Sequence, residues 1–199
     1  MSAEWFASLS LFCLVMCCSP GPTNILATSS GLTHGVRRTL PLILGALTGY
    51  LILILAAAVG VGALILAEPR AAQALRVLGA GYMLWMAWGL WRSHDTVESE
   101  PRPPLRAWHG ATLQLVNPKA WMTAVAAVSI YAAPAAEFWP ALAMLTVVIE
   151  AFSIVALFAW ATFGAALRAV LTRPGLTRRI NQAMAILAAL TGLMILIWK

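Results

Sequence analysis

A chain of 199 residues in which 61% of side chains are apolar and only 10% charged departs from soluble domains, where about a quarter of residues carry charge. Crossing the ~30 Å hydrocarbon core takes ~20 helical residues, so six crossings use about 120 residues and leave about 80 for all loops and tails. That excludes a soluble fold and a separate extramembrane domain, and predicts a single transmembrane domain over residues 1–199. The net charge of +6 is no nucleic-acid signature, because most arginines sit in short segments between apolar runs, the pattern that reports membrane orientation.

In chain order, six stretches are long and apolar enough to cross as helices: residues 5–33, 39–67, 71–91, 109–133, 138 to about 166, and 180–198. The first is not read as a cleaved signal peptide, since Met1 to Trp5 carries Glu4 and no basic residue. Between the third and fourth lies a polar loop, 92–108, in which Pro101, Pro103 and Pro104 preclude a helix. Loops after spans one, three and five carry nine Lys or Arg, against Arg70, Arg76 and Lys199 on the other side. Short basic loops resist translocation, so both termini are predicted to lie outside the cytoplasm, with Trp5, Trp139 and Trp198 at the outer interface and Trp91 and Trp108 at the inner one.

Three spans on each side of the proline-rich loop make the two halves enter the membrane in opposite senses, which allows a 3+3 inverted repeat. Transporters of that kind build their site from broken helices at corresponding places in the two halves, marked by Pro or Gly inside apolar spans. Span one contains Ser19-Pro20-Gly21-Pro22-Thr23-Asn24, and span four contains Asn117-Pro118-Lys119. Pro20 and Pro22 cannot donate backbone hydrogen bonds, so carbonyls of Cys17 and Cys18 should be freed. Lipid cannot satisfy them, and the segment must face protein or a wet cavity toward which Asn24, one turn on, can aim its amide.

Lys119 lies 11 residues beyond Trp108 and Glu150 11 residues beyond Trp139, which places both near mid-membrane at ~16 Å of helix. A charge left there costs ~2.5–3.5 kcal/mol on insertion scales, so such residues point inward and are paired. Lys119 and Glu150 are candidates for one another, and Glu150, the only acidic residue at that depth, is the candidate for a coupling proton. Gly45 and Gly49 form a small-xxx-small packing pair. His34, His94 and His109 have no ligand spacing, and Cys13, Cys17 and Cys18 fit neither a redox nor a zinc pattern and are expected only to pack. No metal or other cofactor is expected, and with no nucleophile–base pair, phosphate-cradling loop or carboxylate dyad in view, neither is an enzyme.

These residues resemble the lysine exporter (LysE/RhtB-type) family of amino-acid efflux transporters of bacterial inner membranes. The likeness is carried by Ser19-Pro20-Gly21-Pro22-Thr23-Asn24, by Ser30 to Arg37 with its Thr-His-Gly, by Leu75-Arg76-Val77-Leu78-Gly79-Ala80-Gly81-Tyr82 and by Asn117-Pro118-Lys119-Ala120. The run Asn24-Ile25-Leu26-Ala27-Thr28-Ser29-Ser30 looks like the cysteine and O-acetylserine exporter branch. The last span departs from the family, reading Gln182-Ala183-Met184-Ala185 where many relatives carry a glycine. The resemblance implies proton-driven export of an amino acid or derivative and puts Pro20, Gly21, Pro22, Asn24, Asn117, Pro118 and Lys119 at motif positions. The partners implied are a small amino-acid substrate, protons and the bilayer; association into a homo-oligomer is left open. The rival reading is a divalent heavy-metal efflux protein with Cys13, Cys17, Cys18 and Glu150 as ligands, since thiolates suit soft metals.

Overall fold

The computed structural model describes residues 1–60, 67–92, 104–170 and 176–197, and within them every regular element is helical. In chain order these are α1 (Ala3–Cys18), α2 (Pro22–His34), α3 (Val36–Ala58), α4 (Pro69–Trp91), α5 (Ala107–Val116), α6 (Pro118–Ala127), a π-helical turn (Val128–Ala132), α7 (Phe138–Val170) and α8 (Leu176–Ile197). A helix pairs its backbone internally, as hydrocarbon surroundings require. His94, Asp95, Glu98, Glu100, Pro101, Arg102, Pro103, Arg173, Trp198 and Lys199, which bear on the predicted loops and interfaces, lie outside the described residues.

Helix starts follow the sequence closely. Pro22, Pro69 and Pro118 each open a helix, where the missing amide costs nothing and the fixed φ suits the first turn. Gly35 joins α2 to α3 alone at φ 78°, a left-handed conformation that favours glycine. Both predicted interruptions are real breaks: α1 and α2 meet at 57°, and Asn117 separates α5 from α6 in an extended conformation.

Among the described residues α3 and α7 are each long and apolar enough to cross a membrane alone, and α1 with α2 makes a third crossing if the bent pair is one span. Of the remaining predicted spans, the first turns of α4 hold Arg70, Gln73 and Arg76 and α5 and α6 are ten residues each, whereas α8 is uncharged from Ile180 to Ile197.

Packing pairs α2 with α7, α3 with α5 and α4 with α8. Small residues bring these backbones together: a Cβ on Gly31 would strike the Ala161 carbonyl, one on Gly164 the Thr28 carbonyl, one on Gly45 the Ala107 carbonyl, and one on Gly110 the Leu42 carbonyl. Gly192, on α8, sits against Met83 on α4. The largest core cluster lies beyond the breaks, where Leu9, Cys13, Leu53, Trp121, Leu145 and Ile149 interlock. Van der Waals contact is what holds helices together in lipid, so Gly45→Leu is expected to destabilise by the ~1–3 kcal/mol of overpacking or more. Gly81→Ala, where a Cβ meets nothing within 4 Å, is expected to be neutral or stabilising; thermal unfolding in detergent compares the two.

Candidate functional site

At the first break the prolines remove backbone donors, and two side chains cap carbonyls left by the interruption. Pro20 cannot pair with the Met16 carbonyl, and the Ser19 hydroxyl donates to it at 3.2 Å. The Asn24 side-chain amide spends both hydrogens on freed carbonyls, reaching Cys17 O at 2.8 Å and Ser19 O at 2.9 Å. The Cys17 carbonyl, expected to be free, is therefore capped, and Asn24 keeps only its oxygen for other partners. The backbone start of α2 at Gly21 has no side-chain cap, which leaves the positive end of that helix available to an anion.

The second break uses the same device. Pro118 has no amide for the Gln114 carbonyl, which accepts from Asn117 N at 3.2 Å. The Asn117 side-chain oxygen caps α6 by accepting from Lys119 N at 3.1 Å, and the Trp121 indole donates to the Leu115 carbonyl at 2.8 Å.

Two hydrogen bonds then join the breaks reciprocally. Lys119, just past the second break, donates from Nζ to Ser19 Oγ at 2.8 Å and to Ser19 O at 3.1 Å in the first. Thr23, just past the first, donates to Gln114 Oε1 at 2.9 Å, one turn before the second. Asn117 Nδ2 also reaches Gln114 Oε1, at 3.4 Å, so the Gln114 carbonyl is occupied and its NH2 is left for the space in front. Lys119 thus turns inward, as its depth requires, but its partner is Ser19 and not Glu150. The carboxylate oxygens of Glu150 are both buried with no hydrogen-bond partner, as is the Tyr50 hydroxyl.

Between the breaks lies a cavity of about 70 Å³. Gly21, Pro22, Asn24, Asn117 and Lys119 line it, whereas Pro20 is exposed, Pro118 is buried outside the lining and Glu150 is not part of it. A larger cavity of about 440 Å³ lies at the end of the bundle that holds Met1, Trp5 and Tyr131, with Glu137 its sole charged lining residue. It contains neither helix break.

Several lining residues escaped the reading of the sequence. Thr23, Tyr50, Gln114, Thr123 and Ser153 all face the cavity between the breaks. Gln114 carried a signal, being three residues before Asn117 and so on one helical face with it; Ser153 stands in the same relation to Glu150. Tyr50 carried none. Cys17 does more than pack, since its thiol lines the cavity and lies 3.5 Å from the Ser153 hydroxyl. The metal reading is without support: among the described residues no three His, Cys, Asp or Glu side chains lie close enough to hold an ion, and Cys18 is exposed while Cys13 is buried.

A family model described as LysE type translocator matches residues 14–198. The chain is 29% identical over 164 residues to the cysteine/O-acetylserine efflux protein of Klebsiella pneumoniae subsp. pneumoniae, covering 82% of this chain and 84% of that one. It is 28% identical over 187 residues to the protein of the same name in Escherichia coli K12, covering 94% and 92%. No solved structure matches the chain at a significant level.

Proposed function

The chain belongs to the LysE-type translocator family, and from that premise we propose that it exports a small zwitterionic amino acid of the cysteine or O-acetylserine class across the bacterial inner membrane in exchange for protons. Membership makes it a transporter and not an enzyme. The observation that carries the reading is the reciprocal tie between the two helix breaks, with a cation on one side of the cavity they enclose. An amino-acid carboxylate suits the third donor of Lys119, the Gln114 NH2 and the uncapped start of α2 at Gly21. The ammonium suits the Asn24 oxygen. Pro20, Pro22 and Pro118 hold the breaks open, and Asn117 fixes the start of α6 on which Lys119 rides. Cys17, Thr123 and Ser153 offer small polar contacts to a short side chain, such as those of the two compounds that name the relatives. Glu150 carries the coupling proton.

The architecture in this reading is one six-span domain over 1–199 with a 3+3 inverted repeat, in which α1–α2 corresponds to α5–α6, α3 to α7 and α4 to α8. Helix packing supports it: each broken pair packs on the second helix of the other half, and the third helices pack on each other. The tight glycine contacts do not match between halves, because α2 is locked on α7 while α5, rather than α6, is locked on α3. Both locks fall on the side of the arginine-rich loops, which in this reading is the cytoplasmic side and the end held shut in one member of an alternating-access pair.

Export of a labelled amino-acid panel, cysteine and O-acetylserine included, from vesicles with and without an imposed pH gradient tests the reading. Faster efflux of at least one of them when the gradient is applied is the expected result; efflux equal to that of empty liposomes for every amino acid would overturn it. Orientation is tested by labelling. With the native cysteines replaced, a cysteine at Ser2 should react with an impermeant probe from outside and one at Ser99 only after permeabilisation, and the reverse pattern would invert the topology.

A further inference from the structure

Three side chains on different helices converge just outside the substrate cavity. Tyr50 of α3 presents its ring to the cavity, while its hydroxyl is buried and unpaired. Glu150 of α7 lies behind the lining, with both carboxylate oxygens buried and unpaired. Cys17 of α1 lines the cavity beside Tyr50 and lies 3.5 Å from the hydroxyl of Ser153, which is one helical turn beyond Glu150 on α7. Buried polar atoms in native proteins are almost always hydrogen-bonded, so three orphaned oxygens in one neighbourhood call for a partner that this state does not supply. They can supply each other.

We propose that the Tyr50 hydroxyl and the Glu150 carboxyl form a proton site behind the substrate cavity, with Tyr50 the hydrogen-bond partner that Glu150 takes up in the opposite access state. The proposal rests on the proton-exchange reading given above and adds where the proton sits and what holds it. A phenol suits the role because it serves both forms of the acid. When Glu150 is protonated, the new carboxyl O–H donates to the phenol oxygen; when the proton leaves to water on the other side, the phenol O–H donates to the carboxylate. The substrate ammonium is not the occupant, because Glu150 does not line the cavity. The other elements bring little that titrates toward Glu150. Cys13 and Cys17 come from α1, and α2 contributes no ionisable side chain within its buried run. Lys119 of α6 is committed to Ser19, and Tyr131 of the π-helical turn shares its hydroxyl with Ser8. Tyr50 is thus a positioning residue, acting on substrate only through Glu150.

The test uses the full chain in liposomes with labelled O-acetylserine as probe. Equilibrium exchange at equal pH and accumulation driven by a pH difference are measured between about pH 5.5 and 8.5, a range wide enough to follow a shift of one pKa unit, which is tenfold in proton affinity. Tyr50→Phe keeps the ring and removes the hydroxyl. It should lose roughly tenfold more of driven accumulation than of exchange and move the pH profile of exchange, and adding it to Glu150→Gln should cost nothing further, as expected for two groups acting as a unit. Wild-type accumulation by Tyr50→Phe beside a dead Glu150→Gln would overturn the pairing while leaving the proton on Glu150. Equal loss of exchange and accumulation in Tyr50→Phe would overturn it too, by moving the pair into the substrate site. Full coupling in Glu150→Gln would overturn the exchange reading itself and this inference with it, as would accumulation driven by a sodium gradient alone.

Discussion

Glu150→Gln is expected to abolish accumulation of substrate against a gradient while exchange of labelled for unlabelled substrate continues. The sequence puts the carboxyl at an expected mid-membrane depth and both its oxygens are buried and unpaired; a charge at that depth costs ~2.5–3.5 kcal/mol on insertion scales. An acid is kept there at a cost in stability, which argues for a use of its ionisation. Glutamine preserves size and hydrogen-bonding capacity but is permanently neutral, so it mimics the proton-loaded form and cannot cycle. Two further signs should accompany the loss: exchange becomes flatter with pH, and the variant unfolds no more readily than the parent, since no carboxylate has to be neutralised. The measurement is uptake into liposomes with only a pH difference imposed. Accumulation at the parent level would place the proton elsewhere.

The breaks were legible in the sequence because proline and glycine act on the backbone locally. Ser19 to Asn24 and Asn117 to Lys119 lie where two helices end and two begin. That Lys119 turns inward was legible too, from the cost of leaving an ammonium in lipid. Its partner was not. Equal depth from Trp108 and Trp139 suggested Glu150, but depth is one coordinate, and the rotation of each helix about its axis decides which side chains meet. Lys119 rides on the first turn of α6 and reaches the first break, while the Glu150 carboxylate is buried without a hydrogen-bond partner. The same limit hid Tyr50 and Ser153, single polar residues on long apolar helices with no periodic pattern around them. Gly45 and Gly49 read as a packing pair, and the structure supplies their partners, Ala107 and Ala111 on α5. Among the described residues the predicted number of crossings outran what helix length and apolarity alone establish, because α4 begins with charged and amide residues and the fourth span is split into two ten-residue helices.

Lys119→Met is expected to reduce exchange by about 10- to 150-fold, the loss that removing one charged hydrogen bond of ~1.5–3 kcal/mol produces. The ammonium has three hydrogens. Two are spent on Ser19 Oγ and Ser19 O, so one remains for a carboxylate in the cavity. Methionine fills a similar volume and leaves the carboxylate without a counter-charge, and it also cuts one of the two ties between the breaks. Discrimination between substrates separates these effects. In the parent, cysteine should compete for exchange far better than cysteamine, which lacks the carboxylate; in Lys119→Met the advantage should shrink by the same factor, because only the carboxylate loses a partner. A merely looser site would weaken both competitors alike and keep their ratio. Lys119→Arg is not an equivalent replacement, because a guanidinium differs from an ammonium in shape and in the directions of its donors. Retention of the full preference for cysteine over cysteamine in Lys119→Met, at parental abundance, would remove Lys119 from the carboxylate site.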